Sequence, residues 1–120
     1  MDDIAATKNF LNECQFMTLS VIAEDGQSWG VPVHIALQKG IVFEWESSME
    51  AVHSRAIEVN PRIAISMFRL TYGDQKEFGF YAQADAEEIE EIGRGRARYR
   101  ATIVQAWIND EQHVKREISL

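Results

Sequence analysis

Cysteine and proline are almost missing from this chain, which has one Cys and two Pro in 120 residues. Cys14 therefore has no partner for an internal disulfide, which excludes a bridge-stapled secreted scaffold. Asp2 and Asp3 stand where a signal peptide would carry its basic region, so the expected compartment is the reducing cytoplasm. No uninterrupted apolar run approaches the ~18 to 20 residues that cross a bilayer, and no membrane segment is expected. Positive charge is also short: the formal net charge is -7, whereas nucleic acids and anionic membranes both reward a basic face. His34, His53 and His113 have no histidine four residues away and no cysteine pair beside them, so no metal site is expected.

What is present is apolar material, 46 % of the residues, enough for the core of a single domain spanning residues 1–120. Residues 4–15 read as an opening helix with Ile4, Phe10 and Leu11 buried. From Phe16 the period becomes two, with Met17, Leu19, Val21 and Ala23 on one face, until Glu24-Asp25-Gly26-Gln27 supplies a hairpin turn. A second strand places Trp29, Val31, Val33, Ile35 and Leu37 together, and Gln38-Lys39-Gly40 turns it into a third with Ile41, Phe43 and Trp45, an antiparallel meander. Between Met49 and Val59 the spacing becomes helical through Met49, Val52, Ala56 and Val59, with Ser47-x-x-Glu50 as a capping box and Asn60-Pro61 as the stop. A fourth strand runs through Ile63, Ile65 and Met67, a polar turn is expected around Tyr72-Gly73-Asp74, and a fifth strand covers about Phe78 to Ile89. Gly79, Ala82 and Ala84 in that strand mark close approach by another backbone or a ligand. Residues 92–107 read as a helix with the stripe Tyr99, Ile103, Ala106 and Trp107, although Gly93 and Gly95 each cost about 1 kcal/mol there. Val114, Ile118 and Leu120 suggest a short closing strand.

Chemistry concentrates between Glu46 and Arg62. A strand passes through Ser47 and Ser48 into a helix whose first turns carry His53, Ser54 and Arg55, so backbone N–H groups, hydroxyls and positive side chains are able to converge on a phosphate. The competing reading is that Ser47 only caps the helix and that His53-Ser54-Arg55 is its solvated face. The arginines of Gly93-Arg94-Gly95-Arg96-Ala97-Arg98-Tyr99-Arg100 do not form a nucleic-acid stripe, because Glu87, Glu88, Glu90 and Glu91 are there to neutralise them. Cys14 lacks a neighbouring histidine and makes no nucleophile.

The run Thr18-Leu19-Ser20-Val21-Ile22-Ala23, the turn Glu24 to Gln27, Trp29-Gly30-Val31-Pro32-Val33, Gly40-Ile41-Val42-Phe43 and the stretch from His53 to Ser66 together resemble the flavin-binding split barrels of the pyridoxamine 5'-phosphate oxidase group. The resemblance covers roughly residues 10–90. It implies a mainly β fold, a six-stranded antiparallel split barrel of Greek-key type with short helices, forming a homodimer with FMN at the subunit interface. It places the flavin ring on the backbone of Val31, Pro32, Val33 and His34, and its phosphate near Ser47 or Ser48, His53, Ser54 and Arg55. His34 and His53 stand where the oxidases commonly have lysine, Val52 where a basic residue is frequent, and Ala56 where asparagine is usual. Trp29, Trp45, Phe68, Tyr81 and Trp107 are able to stack on a flavin or to fill the core, and Trp107 is expected near the partner's flavin. The oxidases' substrate-binding C-terminal arginine and histidine have no counterpart before Leu120, so pyridoxamine phosphate oxidation is not expected. The implied function is a flavin-dependent oxidoreductase acting on a small-molecule substrate or electron acceptor, with no side-chain acid or base demanded. A flavin store or sensor, a haem-binding barrel using His34 or His53, and a ligand-free interaction barrel remain open.

Overall fold

The computed structural model describes residues 2–71 and 76–120, so the turn expected around Tyr72-Gly73-Asp74 lies outside the described residues. In chain order the elements are α1 (Asp3–Glu13), β1 (Phe16–Ile22), β2 (Ser28–His34), β3 (Leu37–Lys39), β4 (Val42–Ser48), α2 (Val52–Val59), β5 (Arg62–Thr71), β6 (Lys76–Gly93), β7 (Arg96–Asp110) and β8 (Arg116–Ile118). The fold is the mainly β, antiparallel split barrel that the sequence suggested, with eight strands among the described residues instead of six. Strand order is β2-β1-β5-β6-β7-β4-β3, with β8 added to β7.

Local chemistry explains most of the elements. Asp2 caps α1 by accepting a hydrogen bond from the Ala5 N–H at 2.8 Å. That helix buries Phe10 and Leu11 as expected but leaves Ile4 exposed. In the β1–β2 hairpin Gly26 takes a φ of +86°, open to glycine, and the Asp25 carboxylate accepts the Gln27 N–H at 3.0 Å. The simple meander ends at this hairpin. After β2 the chain crosses over, β4 pairs with β7, and α2 carries the backbone back to β5 beside β1. Ala36 N–H donates to the Glu44 carbonyl at 2.8 Å, joining the chain just beyond β2 to β4 on the far side of the sheet.

Residues 92–107 are not a helix. They form the turn Gly93-Arg94-Gly95, with φ values of +94°, +57° and +73°, followed by β7. Ala97, Tyr99 and Ala101 point into the core while Arg96, Arg98 and Arg100 alternate on the other face. The arginines form cross-strand ion pairs, Arg98 with Glu46 at 2.8 Å and Glu90 at 3.3 Å, and Arg100 with Glu44 at 2.8 Å. An alternation of small or aromatic residues with arginine thus satisfies β6 and β4 on both sides. Gly79 marks a close approach, since a Cβ there would collide with Asn109 Oδ1 and the Tyr81 hydroxyl.

The core is closed by Phe10, Phe43, Trp45, Phe80, Tyr99 and Ile108. Trp45 stacks on Tyr99 with ring centroids 5.9 Å apart and planes 16° from parallel, and Phe10 meets Phe78 at 4.6 Å. At the chain ends, Arg116 on β8 donates to Asp3 of α1 at 3.0 and 3.1 Å and to Asp110 at 3.0 Å, tying the two termini together. Among the described residues no helix is long and apolar enough to cross a membrane.

Candidate functional site

Helix α2 begins four residues later than the capping-box pattern predicts. Its N-cap is Ala51, which contributes no side-chain hydrogen bond, because Ser47 is already engaged elsewhere. Ser47 Oγ lies 2.9 Å from His53 Nε2, and both residues are buried. Ser54 is fully buried and donates its hydroxyl hydrogen to the Ser48 carbonyl at 2.7 Å, while Ser48 Oγ accepts from the Glu50 N–H at 3.2 Å. The serine and histidine side chains therefore fasten β4 to α2. Burial pushes the His53 imidazole below its ordinary pKa, so it is neutral at neutral pH.

The helix is also turned relative to its expected face. His53, Ser54, Ala56 and Ile57 are buried, whereas Val52 and Val59, read from their spacing as core residues, are 42 % and 71 % exposed. Polar groups point in and valines point out because the hydroxyls and imidazole find partners on β4.

Beside Val52 lies a cavity of about 380 Å³ formed by the β1–β2 turn and the start of α2, lined by Glu24, Asp25, Gln27, Trp29, Val52 and Arg55 with Ala23 and Glu50. Trp29 is 43 % exposed there, and its indole and Val52 give the cavity an apolar wall. Strand β2 is the outermost strand of the sheet, so among the described residues its outer backbone N–H and C=O groups face no neighbouring strand. Arg55 donates to Glu24 at 2.7 Å and to Glu50 at 3.2 Å. Each ion lowers the other's tendency to lose charge: Glu24 is held below the usual carboxylate range by Arg55, and Arg55 is raised by Glu24.

On the outer face of the barrel, two further cavities of about 400 and 440 Å³ share Ser20, Ala64 and Gln83. Their floor is made of small residues from β1 and β5, and Trp107, Tyr81 and Val104 stand at the sides. Lys115 Nζ sits 4.6 Å from the centre of the Tyr81 ring. Phe16, Ile22, Phe68 and Val104 are all exposed and apolar. Sequence reasoning passed over this face, though one signal was available. The residues Thr18, Ser20, Ala64 and Ser66, which pair across β1 and β5, are all small.

The expected site residues thus separate. Pro32 and His34 face outward on β2, His34 edge-on to Phe16 at 5.4 Å, while Val33 is buried and Val31 packs against the core. Ser47, His53 and Ser54 are internal, Ser48 is exposed, and Arg55 lines the cavity beside Trp29. Trp45 is fully buried between β-sheet side chains and belongs to the core. Trp107 is on β7, not on a C-terminal helix, and it lines the outer-face cavity. No group of three metal-ligating side chains occurs among the described residues.

The start of α2 offers little to a flavin phosphate. The hydroxyls of Ser47 and Ser54 are spent, His53 is neutral and inward, Val52 brings no charge, and Arg55 is shared by two carboxylates. These residues do not fit a phosphate dianion. The aromatic and aliphatic wall and the outermost strand fit a flat ring.

The chain has the pyridoxamine 5'-phosphate oxidase-like split-barrel fold. It superposes on a FAD-binding protein from Mesorhizobium loti with a TM-score of 0.75 and 17 % identity, over 92 % of this chain and 93 % of that one. A Clostridium acetobutylicum protein related to a general stress protein of the pyridoxinephosphate oxidase family gives 0.77 at 8 % identity, over 100 % and 97 %. The heme storage protein of Vibrio cholerae gives 0.73 at 16 % identity, over 88 % and 92 %. No family model and no curated protein sequence matches the chain.

Proposed function

We propose that this chain is a flavin-binding split barrel acting as a homodimer in the cytoplasm, a flavin-dependent oxidoreductase for a small-molecule substrate or electron acceptor. The observation that carries the reading is the cavity beside Trp29 and Val52 at the outermost strand β2. A flat heterocycle needs an apolar wall, and Trp29 and Val52 supply one there. A bound flavin supplies the electron or hydride transfer itself. What falls to the chain is to seat the ring against Trp29 and Val52 where β2 begins, and to exclude water there.

The outer face around Ser20, Ala64 and Gln83, with exposed Phe16, Phe68 and Val104, is the surface assigned to the second copy, which brings Trp107 into the interface. The pairing of Arg98 and Arg100 with glutamates argues against a basic stripe for nucleic acid. Structural neighbours described as FAD-binding and as belonging to the pyridoxinephosphate oxidase family support the flavin class. Purified protein should quench flavin fluorescence on mixing; unchanged fluorescence at tens of micromolar, on the order of the weakest useful affinity, contradicts the proposal.

A second reading has its own observation. His34 projects from β2 onto the outer face beside Phe16, and a neighbour of this fold is described as a heme storage protein. Under that reading hemin produces a Soret band that His34→Ala removes, and a spectrum of free hemin excludes it.

A further inference from the structure

We infer that the site beside Trp29 selects a flavin whose tail ends in hydroxyl groups, the riboflavin form, over its phosphate ester FMN. The inference rests on the flavin reading above and names the form of ligand that site takes.

The cavity is lined by three carboxylates, Glu24, Asp25 and Glu50, against one guanidinium, Arg55. Arg55 contacts two of them, at 2.7 and 3.2 Å, so its charge is already answered before any ligand arrives. The first-turn N–H groups of α2 add only about half a positive charge, as any helix start does. A phosphate monoester brings about -1.5 to -2 at neutral pH. It would enter a cavity of the same sign in a chain whose formal charge is -7. To pair with Arg55 it would first have to displace Glu24 and Glu50.

The buried polar side chains in the first turn of α2 are engaged as well. Ser54 Oγ donates to the Ser48 carbonyl at 2.7 Å, and His53, held by Ser47 at 2.9 Å, is neutral through burial. Val52, on the cavity wall, offers only methyl groups.

The same carboxylates suit a different tail. An ionised carboxylate accepts hydrogen bonds and donates none, so its complement is a hydrogen-bond donor. A ribityl chain is a row of hydroxyl donors. The Gln27 side chain lies in the same cavity and is able both to donate and to accept. Trp29 and Val52 supply the apolar wall for the ring, and the acidic turn supplies acceptors for the polyol.

The test titrates the full chain with lumiflavin, riboflavin and FMN, following flavin fluorescence, at low and at high salt. The expected result is riboflavin binding at least tenfold tighter than FMN. That gap should narrow at high salt, because like-charge repulsion is screened. The double substitution Glu24→Gln with Glu50→Gln should release Arg55 and improve FMN binding severalfold while leaving lumiflavin unchanged. Both positions are exposed, so folding is not at risk. FMN binding equal to or tighter than riboflavin in the native chain overturns the inference and leaves the flavin reading standing. Failure of all three compounds to bind overturns both.

Discussion

His53 Nε2 and Ser47 Oγ lie 2.9 Å apart inside the protein, and this contact joins the end of β4 to the first turn of α2. It makes His53 a structural hinge-pin in place of an anion ligand. Its effect on stability has a defined sign. The folded imidazole has a lowered pKa, so the unfolded chain takes up a proton first as pH falls. The contribution of this residue is complete above the unfolded value of about 6.5 and declines as pH drops below it. Urea midpoints should therefore fall between pH 7.5 and 5.5, and His53→Gln should flatten that dependence. A native midpoint constant over the same span contradicts the buried neutral imidazole.

Trp45 is wholly buried and stacked on Tyr99, with its indole Nε1 finding no hydrogen-bond partner among the described residues. Trp45→Ala should cost about 3–5 kcal/mol of unfolding free energy, the range for emptying a large aromatic site. Trp45→Phe should cost much less, since it also removes an unsatisfied donor. Flavin affinity should be the same in Trp45→Phe as in the native chain. A large loss of affinity in a folded Trp45→Phe protein would place the ring inside the barrel instead of at β2.

Phe68 is 60 % exposed on β5 and faces the same side as Ser66 and Ala64. Phe68→Lys should leave folding intact, because no core contact is lost. Light scattering should give twice 13.7 kDa for the native chain and 13.7 kDa for the variant. A native monomer at micromolar concentration rejects the outer face as the subunit interface.

Much of the fold was legible because alternation is a local signal. Met17, Leu19 and Val21 in β1 and Ile63, Ile65 and Met67 in β5 follow the two-residue period and are buried as their spacing requires. Residues 96–110 misled because alanine and arginine favour helices while Tyr99, Ile103, Ala106 and Trp107 also fit a helical spacing. The decisive clue was Gly93-Arg94-Gly95, which three successive positive φ values turn into a hairpin. Strand order was not legible, since the pairing of β4 with β7 joins residues 48 to 60 positions apart.

At the candidate site the residue types were visible but their directions were not. His53, Ser54 and Arg55 are consecutive on a helix and so cannot all face one ligand. Which of them turned inward depended on Ser47 and the Ser48 carbonyl, partners on another element. Arg55 stayed outside, but its charge was claimed by Glu24, 31 residues away in sequence. Trp29 and Val52, brought together only by the β1–β2 turn meeting α2, became the apolar wall.

The most direct test of the account is the riboflavin dissociation constant of the native chain set against that of Trp29→Ala. Trp29 is exposed, so its removal should not disturb the core. The account predicts saturable quenching with a low-micromolar constant, about -8 kcal/mol, weakened at least tenfold by the substitution. Riboflavin that fails to bind the native chain, or that binds Trp29→Ala equally well, contradicts the assignment of the flavin to the β2 edge.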